Sequence, residues 1–158
     1  MSSQRVITDG RTVTEADIVQ FAGFSGDFMP LHVDEEYART TPYGTRILHG
    51  IATLAICGGL VVRSGVFSGH LGMLGMEYRL TSAVRPGDTI HVELEEISSR
   101  VTSSGDKEVA VYEFNAYNQS QVQVLAGKWT QLRPREGTGA GPAATTLAGA
   151  GDQEGGTR

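Results

Sequence analysis

ILHGIATLAICGGLVV, residues 47–62, is apolar almost all the way round and holds no Asp, Glu, Lys or Arg. A helix without a polar face must be buried on most sides, so this stretch is expected to be a central helix rather than a surface one. Gly50, Gly58 and Gly59 lie within it. Each costs about 1 kcal/mol relative to alanine inside a helix, which predicts close backbone contact with neighbouring strands.

On the C-terminal side the pattern changes to period two. Strands are expected over His70–Leu80, Thr89–Arg100, Glu108–Asn118 and Gln121–Leu132. In the second, Ile90, Val92 and Leu94 alternate with His91, Glu93 and Glu95, as in a sheet with one buried face. Arg85-Pro86-Gly87-Asp88, Ser103-Ser104-Gly105-Asp106 and Asn118-Gln119-Ser120 supply tight connections, so successive strands run antiparallel. On the N-terminal side, TVTEADIVQFAGF reads as a helix. Thr14 and Asp17 form its capping box, Ile18, Phe21 and Ala22 its inner face, and Ser25-Gly26 its end. Asp34 caps a short turn through Glu35, Glu36, Tyr37 and Ala38. With a strand near Arg5–Thr8, the expectation is an α+β domain over residues 1–133 whose antiparallel sheet wraps one buried helix. Such a sheet leaves edges that proteins pair or cover, and a dimer is the simplest way to do so. Residues 134–158, rich in Gly and Ala, bury too little surface to fold and are expected to be a disordered tail.

Composition narrows the function. The chain of 158 residues has room for one ordinary domain, and 39% hydrophobic with 20% charged residues is the normal globular range. A formal net charge of −5 argues against nucleic acid, whose phosphates call for clustered Lys and Arg. No apolar run reaches the roughly 20 residues of a membrane span. MSSQRVITDG lacks the apolar core of a secretory signal, and Cys57, a lone buried cysteine, suits a reducing cytoplasm.

The chemistry lies in FSGDFMPLH, residues 24–32, followed by GTRILHG, residues 44–50. Asp27 and His32 stand five residues apart across a loop stiffened by Pro30 and can converge on one water. Hydrating a conjugated enoyl thioester needs such a pair, one group to take a proton from water and one to deliver a proton to C2. Charge then builds on the thioester oxygen and needs donors already in place. The free N–H groups and positive dipole end near Gly50 offer them.

Phe24, Ser25, Gly26, Asp27, Pro30, Leu31 and His32, with His49-Gly50 and the turn Arg85–Asp88, resemble the hydratase motif of MaoC-like proteins. These are the R-specific enoyl-CoA hydratases and 3-hydroxyacyl-thioester dehydratases, and the resemblance covers about residues 5–133. It implies a hot-dog fold, Asp27 and His32 as the catalytic pair, and the Gly50 N–H as the donor to the thioester carbonyl. It further implies a CoA or carrier-protein thioester as substrate, no cofactor and no metal, and a homodimer or larger assembly. Two positions depart from the motif. Met29 stands where the family has asparagine, and Gly58 where it often has a polar residue near the catalytic carboxylate. Both substitutions point toward a dehydratase or isomerase acting on a branched, dicarboxylic or polyketide-type thioester. With His49 they are expected to act behind the pair. Read without the motif, Asp27, His32 and His49 form a carboxylate–dihistidine metal set. A thioester-binding partner subunit without catalysis is the remaining reading. A hot-dog thioesterase is disfavoured because Ile51–Val62 lacks the acid such sites place on the central helix.

Overall fold

The computed structural model describes residues 5–135; the expectation of a disordered tail falls outside them, save for its first two residues. Those two are ordered: strand pairing reaches Pro134, and the Arg135 N–H donates to the Asp106 carbonyl at 3.0 Å.

The N-terminal residues form two short strands, β1 (Arg5–Ile7) and β2 (Arg11–Thr12), both antiparallel to β4 (Thr89–Val101). Helix α1 (Glu15–Ser25) starts where expected, with the Thr14 N–H donating to Asp17 Oδ2 at 2.7 Å. It ends where expected too, at Gly26, whose φ of 77° belongs to the left-handed region that glycine enters freely. Two short helices follow, α2 (Pro30–Val33) and α3 (Glu35–Arg39), the second capped by Asp34 Oδ1 on the Tyr37 N–H at 3.0 Å. The central helix α4 runs Gly50–Arg63, so Ile47 and Leu48 are its extended approach and His49 its N-cap. The Leu48 N–H is bonded to the Val84 carbonyl at 2.8 Å, which ties that approach to the chain entering β4.

The remaining strands are β3 (Gly72–Leu80), β5 (Lys107–Tyr117) and β6 (Gln123–Pro134). The sheet order is β1-β4-β5-β6-β3, antiparallel throughout, with β2 also on β4. Ile90, Val92 and Leu94 of β4, Phe114 and Ala116 of β5, and Val124 and Leu125 of β6 pack inward on Ala52, Cys57, Leu60 and Val61 of α4. Burial pushes the Cys57 thiol up to about 12, which leaves it unreactive at neutral pH. No helix among the described residues is long and apolar enough to cross a membrane.

The sheet covers only part of α4. Ile51, Ala55, Gly59 and Val62 make one stripe along the helix, and all four are exposed, Val62 at 62%. The expectation of burial on most sides therefore fails among the described residues, because the sheet reaches one flank of the helix and no other described residue covers the second. The glycines divide likewise. A Cβ on Gly59 would meet nothing within 4 Å and one on Gly58 only an ordinary contact with the Trp129 side chain, so close approach by a strand residue is found at Gly50 alone, and there it is the Leu80 side chain that approaches.

At Gly127 the backbones of β3 and β6 approach closely. A Cβ there would lie 2.2 Å from the Glu77 carbonyl oxygen and 3.0 Å from the Tyr78 Cα, and backbone atoms cannot swing aside. Gly127→Ala is expected to destabilise the fold by about 1–3 kcal/mol or more, read as a lower urea midpoint at constant slope. An unchanged midpoint would show that β3 and β6 are not packed this tightly.

Candidate active site

The loop after α1 is shaped by local hydrogen bonds. Ser25 Oγ donates to the Phe21 carbonyl at 2.7 Å and accepts from the Asp27 N–H at 3.2 Å. Asp27 Oδ1 then accepts from the Met29 N–H at 3.2 Å, closing an Asx turn. Pro30, whose fixed φ suits the first position of a helix, opens α2 and carries His32 inward.

Two imidazoles dock this loop on the approach to α4. His32 Nδ1 lies 2.8 Å from the Ile47 carbonyl, and His49 Nε2 lies 2.9 Å from the Asp27 carbonyl. A carbonyl only accepts, so each of these nitrogens carries the hydrogen. His32 Nε2 and His49 Nδ1 are left with free lone pairs in the neutral rings. The rings stack, centroids 3.8 Å apart and planes inclined by 26°. A carboxylate oxygen of Asp27 and one nitrogen of each ring all lie within 4.8 Å of one another. Asp27 is exposed while both histidines are buried, so the cluster faces solvent through its carboxylate. The structure thus brings Asp27, His32 and His49 together.

Gly50 is the first residue of α4, and its N–H has no partner within the helix. The side where a Cβ would project is occupied by Leu80, whose Cδ1 lies 2.3 Å from that point. Close approach at Gly50 therefore comes from β3 as well as from any ligand. Leu80 belongs to the site, and only strand register reveals it. Met29 is exposed; its backbone N–H, rather than a side-chain amide, meets Asp27.

Gly58 sits eight residues along α4 from Gly50, about 12 Å by helical rise. An added Cβ there would be in ordinary contact with the Trp129 indole edge, at 3.5 Å. Its neighbour is thus a side chain of β6 that sequence spacing does not reveal.

Asp27, His32 and His49 are also the candidate metal ligands among the described residues. Their geometry suits hydrogen bonding better. Each ring donates one N–H to a carbonyl, as metal-ligating histidines also do, but the lone pairs that remain lie in the ring planes. With the planes stacked, an ion in line with one ring lies well outside the plane of the other.

Around the site, Arg46 joins Glu35 at 3.0 Å and Glu15 at 2.9 Å, binding α1 and α3 to the approach of α4. The Arg46 hydrogen bond holds the Glu35 carboxyl below the usual carboxylate range. Arg39 is likewise paired with Glu35 and Glu36, and Arg85 donates to the Tyr43 carbonyl at 3.2 Å.

Residues 2–116 match the MaoC like domain family. The chain belongs to that family. The sheet wrapped on α4 is accordingly a hot-dog fold, shared with the crystal structure of the MaoC-like dehydratase from Rhodospirillum rubrum. That structure superposes with a TM-score of 0.77 at 29% identity, over 85% of this chain and 93% of the other. Protein MaoC of Klebsiella aerogenes is 42% identical over 90 residues, which are 56% of this chain and 27% of that protein. The (R)-specific enoyl-CoA hydratase of Rhodospirillum rubrum is 38% identical over 85 residues, 51% of this chain and 55% of the enzyme. The MaoC-like chain thus aligns with about a quarter and about half of these relatives' lengths.

The Leu80–Gly50 contact is open to a double-mutant cycle. Gly50→Ala must displace Leu80, and Leu80→Ala should relieve it. A coupling of at least about 0.5 kcal/mol in unfolding free energy is expected, and strict additivity would deny the contact.

Proposed function

We propose that this MaoC-like chain catalyses reversible hydration of a 2-enoyl thioester, taking an enoyl-CoA to the (R)-3-hydroxyacyl-CoA. The observation that carries the reading is the gathering of the Asp27 carboxylate and the His32 imidazole within 4.8 Å, on a loop docked to the tip of α4. The relatives named as an enoyl-CoA hydratase and a dehydratase support it.

In the forward direction one water sits between Asp27 and His32. His32 Nε2, with its lone pair free because Nδ1 is bound to Ile47, takes a proton as the water oxygen bonds to C3. The C2–C3 π pair moves to C2, and negative charge spreads onto the thioester oxygen. The Gly50 N–H and the positive end of α4 stabilise that oxygen. A proton then passes from the pair to C2 on the same face. Dehydration reverses these steps. The mechanism calls on no cofactor and no metal; CoA or a carrier protein only bears the acyl group. Met29 and Gly58, standing where the motif has polar residues, keep a branched, dicarboxylic or polyketide-type acyl group as the alternative substrate. The intact Asp27–His32 pair weighs against a non-catalytic partner subunit. The cytoplasmic location is part of this proposal.

Asp27→Asn and His32→Ala are each expected to lower kcat on crotonyl-CoA, followed by loss of enoyl absorbance, by on the order of a hundredfold or more while the protein stays folded. Full activity in either purified variant refutes the assignment.

The working form proposed is a homodimer. Among the described residues β3 pairs only with β6, leaving its other edge free. Met73, Leu74, Tyr78 and Leu80 of β3 are exposed, as is the stripe on α4. A second copy joined edge to edge covers both. Sedimentation is expected to show a dimer at micromolar concentration, and Val62→Asp with Leu74→Asp to yield monomers. A monomeric native protein would contradict this.

A further inference from the structure

We infer that His49 is the positioning residue of the site, and that its hydrogen bond to the Asp27 carbonyl sets the acid loop in register with the base and the helix tip. This rests on the hydratase reading of Asp27 and His32. Three connections run through this one residue. Its Nε2–H donates to the Asp27 carbonyl at 2.9 Å, fixing the backbone of the residue that bears the carboxylate. Its ring lies on the His32 ring, centroids 3.8 Å apart, limiting the rotation of the proposed base. Its own backbone is the N-cap of α4, so whatever moves His49 moves the Gly50 N–H that follows.

The residue is itself held firmly. It is fully buried, Phe21 packs on the ring at 5.0 Å, and Thr53 Oγ1 donates to the His49 carbonyl at 3.3 Å. An apolar ring would fill the same volume. The polar ring carries a cost, because Nδ1 is buried without a hydrogen-bond partner among the described residues. The donor at Nε2 is what that cost secures. His49 needs no contact with reacting atoms to do this, so its effect should fall on the geometry of the bound state rather than on substrate affinity.

The two histidines must also hold opposite tautomers when neutral: His32 with hydrogen on Nδ1, His49 with hydrogen on Nε2. This can be observed on the unaltered protein, without reference to activity.

The test combines both. Long-range proton–nitrogen NMR of the native protein is expected to show a protonated Nε2 for His49 and a protonated Nδ1 for His32 at neutral pH. A His49 ring with hydrogen on Nδ1 only would overturn the inference. In steady-state hydration of crotonyl-CoA, His49→Ala is expected to lower kcat on the order of thirty- to a hundredfold with KM changed less than about threefold. His49→Gln, whose amide nitrogen stands as many bonds from the backbone as Nε2, should recover about tenfold of that loss. His49→Phe, which restores the ring without the donor, should not. Rescue by phenylalanine and not by glutamine would make the residue packing only and overturn the proposal, as would equal kcat in the alanine variant and the native protein. Each rate is taken per folded molecule, measured by circular dichroism. Should His49→Ala not fold, the glutamine–phenylalanine comparison and the tautomer measurement decide. A native protein that hydrates no enoyl thioester would instead remove the hydratase reading, and His49's role in it.

Discussion

Fourteen residues of helix with no charge before Arg63 cannot stand in water, and the remainder of the molecule is arranged around that constraint. The sheet curls over one flank of α4, with β4 and β5 offering alternate residues to it. This orientation leaves the first turn of α4 at the edge of the core rather than inside it, with unpaired N–H groups facing outward. A helix tip of that kind attracts developing negative charge, and the loop bearing Asp27 and His32 is anchored beside it. The other flank is apolar and, among the described residues, exposed, which is what the proposed second copy would cover.

At the tip, hydrogen bonding takes over from burial. The loop from Ser25 to Pro30 has few apolar contacts of its own, with Phe24, Phe28 and Met29 all exposed. Its position depends on polar anchors: Asp27 on the Met29 N–H, His32 on Ile47, His49 on Asp27. A carboxylate in solvent next to two buried imidazoles is a site in which water can enter on one side and be oriented from the other.

The inner face is shaped by aromatic contacts along α4. Trp129 lies against Phe67 and Phe114 with edge-to-face geometry, and its far edge meets Gly58. Glycine at that helix position is therefore complementary to a large aromatic side chain from a strand distant in sequence. Substitution at either residue would alter the space along α4 more than either identity suggests alone.

Much of this was legible in the chain itself. The apolar run of α4, the period-two strands, the Thr14–Asp17 cap and the Gly26 stop are local patterns, and each produced its element within a few residues, because turn chemistry and side-chain periodicity act over short range. The two-residue β2 was too short to leave a periodic trace. Asp27 and His32 were readable as a pair because the loop joining them is short and stiffened by Pro30. A hydrogen bond from His49 to the loop was also legible, though not its partner atom, the Asp27 carbonyl. What the tertiary structure alone decided were contacts between residues far apart in the chain: Trp129 against Gly58, Leu80 over Gly50, and the flank of α4 left bare among the described residues. These depend on strand register and on which side of a helix the sheet covers, and such distances are set by packing the whole core at once, not by any local run of residues.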